Sequence, residues 1–159
     1  MQGERFLLRL TKGIVEEMAR HACEAFPEEC CGVILAGEGG DILRRCTNIQ
    51  NQRHAEDPIR YPRDARTAYF IDPKELFQIH RETNQCGWEI KAIYHSHPDH
   101  DSYFSDEDRT AALGGGDEPQ YPDTSYVVVS VFDRQVRRMK AFAWNPSTRD
   151  FTEVSIEAA

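Results

Sequence analysis

A mixed α/β domain is the fold class this sequence predicts. Three observations lead there: apolar residues at helical spacing near the start, a strongly capped second helix mid-chain, and three β-rich runs towards the end, with short strands interleaved between the helices. No repeat, low-complexity tract or linker breaks the chain, so residues 1–159 read as one domain.

Phe6 to Leu10 form a short apolar segment. Ile14, Val15, Met18, Ala22 and Ala25 then recur on one helical face, with Thr11 placed to cap the helix and Pro27 to end it. Cys31 to Gly37 reads as a buried strand that turns at Gly39-Gly40 into a second strand, Ile42 to Thr47, giving a hairpin. Residues 48–67 lack apolar periodicity and contain Pro58, Pro62 and several charges, which predicts a long excursion of the kind that is functional or mobile. Tyr69 to Ile71 resumes as a short strand.

Asp72-Pro73-Lys74-Glu75 is a helix start in which an Asp cap, a Pro in the first turn and a Glu three residues after the cap agree. Gly87 marks its end. Trp88 to His97 alternates as a strand, and Pro98 stops it for want of an N–H. Ser105 opens a third, short helix that ends at Gly114-Gly115-Gly116. Tyr126 to Phe132, Val136 to Trp144 and Phe151 to Ile156 follow as a strand meander.

Composition narrows the function. With 19 Lys and Arg against 27 Asp and Glu, the net charge of −8 disfavours nucleic acid and anionic membranes as partners, since both select a basic surface. No segment reaches the roughly 20 apolar residues of a membrane span, and the N-terminus lacks the apolar core of a secretory signal. Five cysteines, an odd number without a C-x-x-C pair, argue against a disulfide scaffold or a cysteine-rich zinc site. A cytoplasmic location is the expectation.

Three of the six histidines lie between positions 95 and 100. On a strand, His95 and His97 project from the same face with Ser96 on the other, so two imidazoles can grip one metal ion. Catalytic zinc sites use three protein ligands and leave a position for water, so a third ligand is needed. Asp108 is the candidate, one helical turn after Ser105. Taken alone, Ser105-Asp106-Glu107-Asp108 reads as a capping box, and His21, His54 and His80 read as core or surface residues. The combination H-x-H-P, six residues, then S-x-x-D points instead to a metal site.

His95-Ser96-His97-Pro98 with Ser105 and Asp108 resembles the full signature of the JAMM (MPN+) zinc metalloprotease family. Pro27-Glu28-Glu29-Cys30-Cys31-Gly32 resembles the family's upstream segment, in which the spacing to Cys-Gly selects Glu29 over Glu28. The likeness runs from about Phe6 to Trp144 and is to the compact, stand-alone bacterial members. It implies a cytidine-deaminase-like fold, a curved mixed sheet with about three helices around it. It also implies one Zn²⁺ per chain on His95, His97 and Asp108, with Glu29 as general base and Ser105 as oxyanion donor. The implied substrate is a ubiquitin-like (β-grasp) sulfur-carrier protein, cut after its C-terminal Gly-Gly to release cysteine or a short extension. Arg60 and Arg63 in the excursion are candidates for binding it; a homodimer is left open. Two alternatives stand beside this. One is a non-catalytic MPN-type binding scaffold, although every metal position is filled here. The other is a metallo-β-lactamase-like hydrolase, suggested by His95-Ser96-His97-Pro98-Asp99-His100, although that motif lacks the histidines it needs downstream. Asp99, His100, Asp101 and Asp106 are read as neighbours of the site, and Cys31 as a small buried apolar residue.

Overall fold

A computed structural model describes residues 7–159. Seven strands, β1 (Leu7–Leu10), β2 (Cys31–Gly37), β3 (Gly40–Cys46), β4 (Glu89–Pro98), β5 (Ser125–Phe132), β6 (Gln135–Asn145) and β7 (Asp150–Ala158), form one sheet in the order β1-β7-β6-β5-β4-β2-β3. The β1/β7 and β4/β5 pairs are parallel; the other pairs are antiparallel. Four helices accompany the sheet: α1 (Lys12–Ala25), α2 (Gln50–Glu56), α3 (Pro73–Cys86) and α4 (Asp106–Ala112). None of the described helices is long and apolar enough to cross a membrane.

The local signals act as the sequence implies. Thr11 Oγ1 accepts from the Ile14 N–H to start α1, Asp72 caps α3 through the Lys74 N–H, and Gly87 closes α3 with a left-handed φ of 69°. Two differences concern the middle of the chain. The excursion contains a helix, α2, so the described residues hold four helices rather than about three. The expected strand at Tyr69 to Ile71 shrinks to a single bridge between Asn48 and Ile71. Asn48 explains both: its side-chain oxygen accepts from the N–H groups of Gln50 and Phe70, and its amide donates to the carbonyls of Glu29 and Ala68. One side chain thus starts α2 and takes the N–H a strand at Phe70 would offer to a ladder.

Alternation along β4 divides the core into two layers. Ala92 and Tyr94 face α1 with Met18, Ile34, Val127 and Val129, whereas Ile93 faces α3 and α4 with Cys31, Val33, Ile79 and Ala112. Ser96 continues the first face, and His95 and His97 the second. Tyr94 lies over its cross-strand partner Gly32, where a Cβ would come within 2.4 Å of the ring. Its hydroxyl pairs with His21 Nδ1 at 2.7 Å.

β4 and β5 run parallel, so the chain must cross over between them, and it does so through α4. Pro98 is the last residue of β4, beyond the point where β2 pairs with it, so its missing N–H leaves no ladder bond unmade on that side. The carboxyl end of a strand at the start of a parallel crossover is where α/β sheets open a crevice. His95 and His97 lie there.

Candidate active site

His95 and His97 are buried, as two residues apart on one strand face within a core require. Their Nε2 atoms face each other at 3.1 Å. Asp108 reaches them from α4: one carboxylate oxygen lies 3.2 Å from His95 Nε2 and the other 3.2 Å from His97 Nε2. Asp108 also belongs to a capping box, accepting from the Ser105 N–H at 3.0 Å while its own N–H donates to Ser105 Oγ at 3.0 Å. The capping and metal readings of this tetrapeptide are therefore compatible. The cap is what aims the carboxylate at the imidazoles.

The donor set fits a cation. His97 Nδ1–H donates to the backbone carbonyl of Asp101 at 2.8 Å, which leaves Nε2 with a lone pair directed at His95 and Asp108. Two imidazole nitrogens and a carboxylate crowded into a buried space have too few protons to satisfy one another. Their 3.1–3.2 Å spacings are close to the roughly 3.3 Å edge of a tetrahedron with metal–ligand bonds of about 2.0–2.1 Å. Among the described residues, His95, His97 and Asp108 are the group able to hold a metal ion. Burial pushes the Asp108 carboxyl up, but positive charge on the imidazole side, carried by protons on the histidines, more than reverses this and holds it well below the usual carboxylate range, the same preference a cation there would meet. Tyr69 stacks on His95 with ring centres 4.4 Å apart, and Tyr103 meets His97 edge-on at 5.2 Å.

Glu29 is buried just before β2, whereas Glu28 is exposed and accepts from Asn51 Nδ2. Backbone contacts on both sides fix Glu29: its N–H donates to the Ala65 carbonyl at 2.7 Å and its carbonyl accepts from Asn48 Nδ2 at 2.9 Å. Burial, reinforced by the Asp108 charge, raises its carboxyl to about 9, and Arg63 is the cation that opposes this. Cys30 and Cys31 lie beside it as buried thiols, their pKa values raised by burial, and behave as apolar residues rather than thiolates.

The arginines of the excursion separate. Arg63 donates to Glu107 at 2.7 Å, one residue from Asp108, whereas Arg60 is exposed and leans over the Tyr61 ring at 5.3 Å. Of the acidic and histidine neighbours, Asp101 contributes its carbonyl to His97, and the His100 carbonyl accepts from Ser130 Oγ. His100 is not part of the metal-holding group, so the H-x-H-x-D-H pattern gains no third ligand from it. Three contributors are not legible from sequence alone. Tyr69 was expected only as a strand residue, Tyr103 carries no motif, and Ser96 points away from the metal face yet fastens the site from behind. Ser96 Oγ accepts from the Cys30 N–H, and the Ser96 N–H donates to the Cys30 carbonyl.

Residues 11–145 match the family described as prokaryotic homologs of the JAB domain. A CysO-cysteine peptidase from Mycobacterium tuberculosis is 27% identical over 141 residues, covering 89% of this chain and 85% of that protein. A desampylase from Haloferax volcanii is 28% identical over 130 residues, covering 82% and 78%. Among solved structures, protein DSY2949 from Desulfitobacterium hafniense superposes with a TM-score of 0.68 at 23% identity, covering 96% of this chain and 92% of that one. A JAB1/MPN domain protein from Archaeoglobus fulgidus superposes at 0.50 with 13% identity, covering 93% and 97%, a likeness of fold. Most of the chain lies within one family match, and the fold is that of its structural neighbours: the chain belongs to the prokaryotic homologs of the JAB domain.

Proposed function

We propose that the protein is a zinc-dependent hydrolase that cuts the peptide or isopeptide bond following the C-terminal Gly-Gly of a ubiquitin-like sulfur-carrier protein. The observation that carries this reading is the convergence of His95 Nε2, His97 Nε2 and both Asp108 oxygens within 3.1–3.2 Å, with the buried Glu29 carboxyl near enough to feel the Asp108 charge. The names of the relatives, a CysO-cysteine peptidase and a desampylase, support the substrate class. When bound to His95, His97 and Asp108, zinc supplies a water of lowered pKa and a Lewis acid for a carbonyl oxygen.

The remaining work falls to the chain's own groups. Desolvation raises the Glu29 carboxyl, and a cation held by His95, His97 and Asp108 would favour its ionised form; as a carboxylate it would take the proton of the attacking water and deliver it to the leaving nitrogen as the C–N bond breaks. Ser105 Oγ already accepts from the Asp108 N–H, which orients the hydroxyl and leaves its hydrogen free to donate to the developing oxyanion. Such a donor is worth about 3 kcal/mol in acyl-transfer sites. Asp108 is held by the capping box, so it needs little reorganisation to act as a ligand. The reading is tested by incubating zinc-loaded protein with sulfur carriers extended beyond Gly-Gly and weighing the products. Carriers trimmed to Gly-Gly support it; a stable, metal-free protein that leaves every carrier intact points to a binding scaffold.

A further inference from the structure

The segment that carries Arg63 is built against Glu29. Ala65 is buried and accepts from the Glu29 N–H, its own N–H donates to Asn51 Oδ1 at 2.8 Å, and the buried Gln50 side chain donates to the Arg63 carbonyl at 2.9 Å. The Arg63 backbone is therefore anchored two residues from the contact that fixes Glu29. Its side chain remains 47% exposed at the rim. Two of its nitrogens are engaged, Nη2 by Glu107 at 2.7 Å and Nη1 by the Thr67 carbonyl at 3.4 Å, while Nε makes no hydrogen bond to the described residues. Donors are left over. Of the other arginines of the excursion, Arg53 is sandwiched between the Tyr61 and Phe70 rings, Arg60 lies over Tyr61, and Arg66 is exposed with its N–H donating to Asp64 Oδ1.

We infer that Arg63 receives a free carboxylate on the leaving group, and so selects a linear C-terminal extension over an isopeptide-linked lysine. This rests on the hydrolytic reading above and deepens it. Glu29 hands its proton to the scissile nitrogen, so that nitrogen passes close to Glu29, and Arg63 is the cation whose charge reaches that carboxyl, held by Glu107 one residue from Asp108. In a one-residue linear extension the α-carboxylate is two bonds from the same nitrogen, within reach of a guanidinium that pairs with carboxylates through parallel N–H donors. In an isopeptide the nitrogen is followed by four methylenes, and no carboxylate lies there. Elsewhere the rim is acidic, with Glu28 and Asp106 exposed, and would repel such a group, whereas Glu107 holds one edge of the Arg63 guanidinium in place.

The test compares one sulfur carrier extended beyond Gly-Gly in three ways: by cysteine with a free carboxylate, by cysteine carboxamide, and by lysine joined through Nε. Arg63→Ala should lower kcat/KM on the free acid about 10-fold more than on the carboxamide and the isopeptide, whose shared smaller change reports the loss of a cation acting on Glu29, and Arg60→Ala should leave the ratio among the three as in wild type. Binding to a Glu29→Gln background, where cleavage does not intervene, should favour the free acid over the carboxamide by a similar factor, and Arg63→Ala should erase that preference. Equal losses on all three substrates, or equal binding of acid and carboxamide, would overturn the assignment. If the wild-type protein neither binds nor cuts any of the three, it is the hydrolytic reading itself that fails.

Discussion

The hydroxyl of Ser96 accepts a hydrogen bond from the Cys30 N–H at 2.7 Å, and the Ser96 N–H donates back to the Cys30 carbonyl at 3.1 Å. Ser96 stands between the two site histidines, and Cys30 follows Glu29. Strand β2 pairs with β4 only from Cys31 onward, so this reciprocal contact is what continues the registry one residue further. It ties the carboxylate to the imidazoles from the face opposite the site.

Ser96→Ala leaves the buried Cys30 N–H unpaired, which costs about 1–3 kcal/mol of stability. The larger expected effect is on Glu29, whose place relative to His95 and His97 is loosened. Zinc content and KM should stay near wild type while kcat falls, and Ser96→Thr, which restores the hydroxyl, should recover most of the rate. Equal recovery by Ser96→Thr and Ser96→Val would remove the role assigned to the hydrogen bond.

Asp108 and Ser105 share a cap but not a fate on substitution. Ser105→Ala removes the side-chain acceptor for the Asp108 N–H, costing about 1 kcal/mol, and should keep metal while losing about 10²-fold in turnover. Asp108→Ala should lose metal as well. Thermal unfolding with and without a chelator separates them. At free zinc a hundredfold above Kd, bound metal stabilises by about 2.7 kcal/mol, so the chelator should lower the Tm of wild type and of Ser105→Ala but not of Asp108→Ala.

His21 gives the fold an acid sensitivity on the face away from the site. Burial, with help from Arg45, lowers its pKa to about 4, and its Nδ1 takes a hydrogen bond from the Tyr94 hydroxyl at 2.7 Å. The folded pKa lies below the unfolded value of about 6.5, so the unfolded chain binds the proton more readily. Stability from this pair is complete above about pH 6.5 and is lost as pH falls towards 4. The loss should be roughly 2 kcal/mol after allowance for partial exposure. Denaturant midpoints measured between pH 7.5 and 4 should fall more steeply for wild type than for His21→Gln; parallel curves would show that His21 does not titrate in this way.

Gly32 sets the width of the gap that Tyr94 fills. A Cβ there would lie 2.4 Å from ring atoms, so Gly32→Ala must displace a fully buried tyrosine on the neighbouring strand β4. A loss of several kcal/mol is expected, within the upper range for overpacked cores. The double variant Gly32→Ala, Tyr94→Leu should regain part of it, which equilibrium unfolding would register as a favourable coupling.

What could be read beforehand follows the range of each interaction. Helices α1, α3 and α4 are marked by caps two or three residues from their partners, and the β2/β3 hairpin by Gly39-Gly40, so local pattern sufficed. Helix α2 has no apolar period, and it depends on Asn48 bonding to groups as far away as Phe70. The parallel pairing of β1 with β7 joins the two ends of the chain and leaves no local trace. The site divides in the same way. The alternation of a strand brings His95 and His97 together, and the spacing of a helical turn places Ser105 by Asp108. The separation of Arg63 from Arg60, and the bond from Ser96 to Cys30, arise only when distant segments meet.

The most direct test of the proposed chemistry is mass spectrometry of a sulfur carrier bearing cysteine after Gly-Gly, incubated with zinc-loaded wild-type protein and with zinc-loaded Glu29→Gln. Wild type should leave a carrier ending in Gly-Gly, and Glu29→Gln, with its zinc content intact, should leave the substrate whole. Full cleavage by Glu29→Gln would contradict the role given to Glu29 as the group that moves the proton.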